Sequence, residues 1–190
     1  DLTSFDTSKV RDMSYMFSGM SKIQDLKISS FNTSEVTRMN NMFQYAYKLT
    51  TLDLSNFSTS KVTDMHYMFY AMSELTDLNI SSFDTGNVTN MVQMFSSLRK
   101  IVSLDLSHFN TKKVTNMAAM FDTMYDLKNL NISSFNTSNV VYMSSMFRGT
   151  YSLTELDLSS FDTSNVKTVD SMFYINSSDV DKDKLEKIYV

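Results

Sequence analysis

The sequence predicts a right-handed α/β solenoid of seven 26-residue turns, each a short parallel β-strand followed by a short helix, with an eighth strand at the C-terminus. Three observations predict it. Phe recurs at Phe5, Phe31, Phe57, Phe83, Phe109, Phe135 and Phe161, always at a 26-residue step. Thr7 through Thr163 and Val10 through Val166 keep the same step, as does the pair Met16-Phe17 through Met172-Phe173. No insertion or deletion breaks the period from Phe5 to Phe173, and a fixed period of this length marks an array in which each unit covers its neighbour's apolar face.

Residues 49–74 form one turn, LTTLDLSNFSTSKVTDMHYMFYAMSE. Leu52 and Leu54 alternate with Thr51 and Asp53, the period of a strand with one buried face. Val62, Met65, Met68 and Phe69 follow at i, i+3, i+6 and i+7, which predicts one face of a short helix. Val62-Thr63 fits a second short strand equally well. Ser58-Thr59-Ser60 precedes this segment and can cap free N–H groups. With three Gly and no Pro in 190 residues, Asx and hydroxyl side chains are expected to shape the turns. The regular Met columns are core filler, since a flexible thioether fits irregular gaps.

Composition narrows the function. The chain is 42% hydrophobic and 20% charged, ordinary values for a globular protein. A net charge of −4 argues against nucleic acid, which is normally met by basic patches. No apolar run is long enough for a membrane helix, so no membrane insertion is expected of this segment. Without Cys there is no disulfide framework, thiolate metal site or thiol nucleophile.

The two ends depart from the pattern. Residues 1–5 fit the second half of a strand, so an upstream continuation is expected. Near the other end, Leu185, Ile188 and Val190 repeat Leu153, Leu156 and Leu158 at a longer, 32-residue step. This predicts a solenoid over 1–174 and an atypical last turn over 175–190, with a six-residue insertion before the terminal strand. The insertion carries Asp179, Asp181 and Asp183, but lacks the Gly and distal Glu of a calcium loop, and a solvated loop is expected.

The fixed period turns each position into a stripe. One outward strand column reads Asp25, Thr51, Asp77, Ser103, Asn129, Glu155; the other reads Asp1, Lys27, Asp53, Asn79, Asp105, Asn131, Asp157. The face is acidic, yet neither column sets two acids on adjacent turns, where stacked like charges would destabilise. LDLS alternates with LNIS or LKIS, a 52-residue super-period. Spacing for solubility explains this, and so does an acidic strip for a cationic, metal or glycan partner. Lys9, Arg11, Arg38, Lys61, Lys112, Lys113 and Lys167 give another flank a basic lean. Tyr15 and Tyr67 share a column, as do Tyr47, Tyr125 and Tyr151, with Tyr45 and Tyr70 nearby. The repeat demands no aromatic there, so these residues are either contacts or half-buried packing.

The run LxxLxLSxFxTSxVxxMxxMF resembles the BspA-type leucine-rich repeats of bacterial surface proteins over essentially the whole chain. The resemblance implies an extracellular protein, secreted or attached to the cell wall, whose repeats bind host or bacterial surface ligands. It carries over no catalytic residue. Repeats of that family often hold a Cys shortly after the MF pair; here the column reads Met20, Ala46, Met72, Leu98, Met124 and Thr150.

Nothing in the pattern marks an enzyme. His66 and His108 occupy different columns two turns apart, and read as exposed polar substitutions. Ser and Thr are periodic, with no His at nucleophile spacing. No cofactor or metal is expected. The expected function is a monomeric bacterial adhesion or ligand-binding module for a surface protein or glycan, the alternative a structural spacer. Asp25, Asp53, Asp77, Asp105, Glu155 and Asp157, with Tyr47, Tyr125 and Tyr151 at the edge of the strand face, are the candidate contact residues.

Overall fold

Residues one period apart are hydrogen-bonded neighbours throughout the computed structural model, which describes residue 2 and residues 4–190. The structure is mostly β, with short parallel strand pairs repeated along the chain, an arrangement compatible with a repeat solenoid. Among the described residues the single helix is a 3-10 helix, Ser177–Lys182. The expected α/β class is thereby corrected, because no helix forms over residues 62–69 or at the equivalent positions.

Consecutive β-turns take the helix's place. The Met68 N–H bonds to the Met65 carbonyl, Tyr70 to Tyr67 and Met72 to Phe69, each at 3.1–3.4 Å and each closing a three-residue step. Tyr67 and Ala71 have φ of 57° and 60°. A left-handed residue at the third position is the sign of a type II turn, and it breaks an α-helix. The intervening N–H groups of Met65, Tyr67, Phe69 and Ala71 leave the coil and reach the carbonyls of Asn90, Val92, Met94 and Ser96 in the next. Three-residue steps bury Met65, Met68, Phe69, Met72 and Leu75, a spacing that imitates a helical face. The second strand is nearer to what forms: parallel bridges run Asp12, Arg38, Asp64, Asn90, Asn116, Tyr142, Thr168.

This ribbon of turns carries the core. Phe17, Phe43, Phe69, Phe95, Phe121, Phe147 and Phe173 stack ring on ring, 5.6–6.0 Å between successive centroids. Beside them the column from Met13 to Met143 is buried. Burying each such side chain contributes about 1.5–3 kcal/mol.

The strand face is built differently. β1 (Thr51–Asp53) pairs in parallel with β2 (Asp77–Asn79), β3 (Ser103–Asp105) with β4 (Asn129–Asn131), and β5 (Glu155–Asp157) with β6 (Lys187–Tyr189). β2 and β3 do not pair, nor do β4 and β5. Each doublet opens on an LDL-type strand, so the 52-residue alternation is also the period of pairing. Side chains in one column adapt to it. Within doublets Ser82 and Ser134 hydroxyls reach carbonyls of the coil before, at Leu54 and Phe57 and at Leu106 and Phe109. Between β2 and β3 the longer His108 spans the gap, its Nε2 donating to the Ile80 carbonyl at 3.1 Å; Asn56 reaches the Ser29 and Phe31 carbonyls. No strand forms over residues 25–28. The half-strand expected over residues 1–5 is not seen at residues 2, 4 and 5, and its residues 1 and 3 lie outside the described residues.

Polar side chains close the corners. Each buried Thr of the column Thr7, Thr33, Thr59, Thr85, Thr111, Thr137 both donates to and accepts from one backbone residue of the next coil, as Thr85 does with Asn110 at 3.0 and 2.8 Å. Asx side chains accept the N–H two residues on, from Ser8 to Asp6, Ser55 to Asp53 and His66 to Asp64, the turn-forming bond that Gly and Pro would otherwise make unnecessary. The last coil carries the 3-10 helix, capped by Asn176. Its β6 pairs with β5 at the longer step, Leu156 facing Ile188.

Candidate functional site

The acidic strand-face residues are all exposed, and the structure does not bring them together. Asp53, Asp105 and Asp157 are occupied locally, each accepting the N–H of Ser55, Ser107 or Ser159 at 2.9 Å. Those serines hold all three carboxyls below the usual carboxylate range. Asn79 and Asn131 make the same bond to Ser81 and Ser133. The carboxylates therefore shape turns that an amide shapes as well. Glu155 is bound across its doublet by Lys187 at 3.0 Å, which lowers its pKa, and by the Tyr189 hydroxyl. Asp25 lies 3.8 Å from the Lys27 ammonium, and Asp77 faces Thr51 in the β1–β2 register.

The tyrosines do gather, on the flank formed by the ribbon and the residues that directly follow it. Tyr47, Tyr45, Tyr70, Tyr67 and His66 form a continuous chain of rings, with successive centroids 5.3–5.7 Å apart. Tyr45 and Tyr47 are exposed, and the other three are half-buried. Burial, then the neighbouring tyrosines, raises the pKa of Tyr70. Tyr45 and Tyr67 have φ of 62° and 57°, in two columns that are left-handed in coil after coil, the first with Gly19, Ala71, Ser97, Thr123 and Gly149, the second with Tyr15, Asn41, Gln93, Ala119, Ser145 and Ser171. A bulky side chain in the left-handed region costs about 1–2 kcal/mol. The sequence marks all four tyrosines as contacts or half-buried packing and selects Tyr47 among them; the structure adds that the four rings touch.

Tyr125 and Tyr151 build a second group further along the same flank. Their rings stack at 5.1 Å and 12°, with the Arg99 guanidinium 5.4 Å from the Tyr125 ring. The Tyr151 hydroxyl donates to Asp179 of the 3-10 helix, and Asp179 also accepts from Lys182. Burial, then the Asp179 hydrogen bond, pushes the Tyr151 phenol up to about 12. Beside the stack a cleft of about 200 Å³ is lined from three consecutive coils, by Thr123 and Tyr125, then Arg148, Gly149 and Tyr151, then Tyr174, Asn176 and Asp179. Arg148 is fixed there by a two-pronged bond to Asp122, Nε at 2.8 Å and Nη2 at 2.6 Å, with the Asp122 side chain only 4% exposed. Of these residues the sequence points only to the tyrosines of the shared column.

Among the described residues no group of three or more His, Cys, Asp or Glu is placed to hold a metal ion. Nor, among them, is any helix long and apolar enough to cross a membrane.

These features define a class: a mostly-β repeat protein with two groups of tyrosines outside the repeat pattern. The chain belongs to the family described as "Mycoplasma protein of unknown function, DUF285", whose profile matches residues 1–104 and again 93–187. No curated protein matches the chain.

Proposed function

We propose that the chain is a right-handed leucine-rich-repeat solenoid of seven turns that serves as an adhesion or ligand-binding module outside a bacterial cell. Its partner is a host or bacterial surface protein or a glycan, met through the tyrosine-bearing flank. The observation that carries this reading is the ring chain Tyr47–Tyr45–Tyr70–Tyr67, four exposed or half-buried aromatics at positions where the repeat demands none. Tyrosine is a favoured contact residue. The acidic strand face moves to a supporting role, since its Asx carboxylates serve their own turns.

The test compares two variants of the full chain in attachment to host cells, matrix proteins and bacterial surfaces. Tyr45→Ser, Tyr47→Ser, Tyr67→Ser and Tyr70→Ser together should abolish attachment, while Asp53→Lys, Asp77→Lys and Asp105→Lys together should weaken it less. Unchanged attachment by the tyrosine variant, with the fold intact by circular dichroism, would overturn the reading. A spacer is the second reading, favoured by the unbroken hydrogen bonding from Met13 to Thr168; it requires that removing whole coils, not surface side chains, changes activity.

A further inference from the structure

We infer that the cleft beside Tyr151 is a saccharide site that takes one neutral pyranose unit, an inference that rests on the ligand-binding reading and names its ligand class. The cleft is the place where three consecutive coils and the 3-10 helix depart from the repeat together. Gly149, at φ +69°, lines it without a side chain and lies over Thr123 of the coil before.

The lining selects the chemistry. Its charges cancel in pairs, Arg148 with Asp122 and Asp179 with Lys182. A charged ligand would meet no net attraction, and its desolvation would go uncompensated. What the pairs leave over is directional hydrogen bonding. Arg148 uses Nε and Nη2 on Asp122, leaving Nη1 to donate into the cleft. Asn176 uses its carbonyl oxygen on Ser178, leaving the amide N–H pair. Tyr125 and Tyr151 cover each other's faces, so ring edges and hydroxyls border the space. Tyr174 is 53% exposed and offers a ring at the mouth. Planar donors and acceptors on side chains that are already fixed, beside aromatic carbon, suit a ring bearing several hydroxyls. They suit an aliphatic or a fully ionised group poorly. The anchoring is rigid where it matters: the nearly buried Asp122 holds the guanidinium, and Asp179 holds the Tyr151 hydroxyl, so little side-chain freedom remains to be lost on binding.

The test titrates the full chain with methyl glycosides of glucose, galactose, mannose and N-acetylglucosamine, with glucuronate as the charged comparison. Binding is followed by tyrosine fluorescence, which no Trp obscures, and by calorimetry. At least one neutral glycoside should bind in the millimolar range. Arg148→Lys keeps the charge opposite Asp122 but removes the fork, and Tyr174→Ala trims an exposed ring; each should weaken binding about tenfold, the loss of one good hydrogen bond or contact. Lys113→Gln, at an exposed position on the basic flank, should leave glycoside binding unchanged. The inference is overturned by no binding of any neutral glycoside, by tighter binding of glucuronate, or by binding indifferent to both cleft variants. Attachment that persists in the absence of glycoside binding sinks the saccharide assignment alone. Attachment insensitive to the tyrosine flank, with glycosides still bound, sinks the adhesion reading alone.

Discussion

The ribbon of turns and the strand face are two solutions to stacking one coil on the next. On the ribbon, Met13, Tyr15, Phe17 and Gly19 each donate to the following coil, and each bond recurs in every coil up to the carbonyls of Thr168, Asp170, Met172 and Tyr174. On the strand face the ladder is interrupted after every second coil. The ribbon obeys the 26-residue period, and the strand face obeys twice that period. Continuity goes with the side that buries the Phe and Met columns. The side that faces water tolerates gaps, which Asn56 and His108 bridge with side chains in place of backbone.

The contrast should break most visibly in the core. Phe95→Ala removes a ring buried between Phe69 and Phe121 and should cost about 3–5 kcal/mol in urea unfolding. Leu78→Ala, at a half-buried strand position, should cost clearly less; equal losses would erase the distinction between the two sides. Next comes the corner between them. Thr111→Val keeps the shape but leaves the Asn136 N–H and carbonyl without their partner, a loss of about 1–3 kcal/mol. His108→Ala should cost about 1 kcal/mol and speed amide exchange in β3, while His108→Asn, copying Asn56, should restore most of it. Alkali probes the last coil. The Tyr151 phenol is raised in the folded state, so its contribution is complete below about pH 10, its unfolded value, and fades as pH climbs towards about 12. Tyr151→Phe should remove that part of the alkaline transition, read by thermal melts across pH. The smallest effect is expected for Asp53→Asn, within about 0.5 kcal/mol, because Asn79 and Asn131 already make the same turn.

Much of this is legible in the sequence, and the part that is not has a physical reason. Alternation around Leu52 locates β1, and the 32-residue step to Ile188 is the register in which β5 and β6 pair. The helix misleads because Met65, Met68, Phe69 and Met72 face inwards from successive β-turns at the spacing a helix would use. Only backbone φ separates the two, and Tyr at a left-handed position is a poor advertisement for one. The aspartates of the strand face read as a charge strip because composition cannot tell a free carboxylate from one accepting its own turn's N–H. The irregular tyrosines are visible as departures from the repeat, but their contact with one another and the Arg148 cleft are not. Each joins different columns of neighbouring coils, whereas a comparison of like positions sees one column at a time.

The hydrogen bonding of the ribbon reaches beyond stability. A peptide unit there takes an N–H bond on its carbonyl from the coil before and gives its own N–H to the coil after, as the unit between Asn40 and Asn41 does with Tyr15 and His66. Peptide dipoles in such a file add head to tail, as they do in an α-helix. Four files point one way, and one, through Thr37, Thr63, Thr89 and Thr115, points back. The peptide files consequently polarise the ribbon along the stack, N–H groups pointing towards the last coil and carbonyls towards the first.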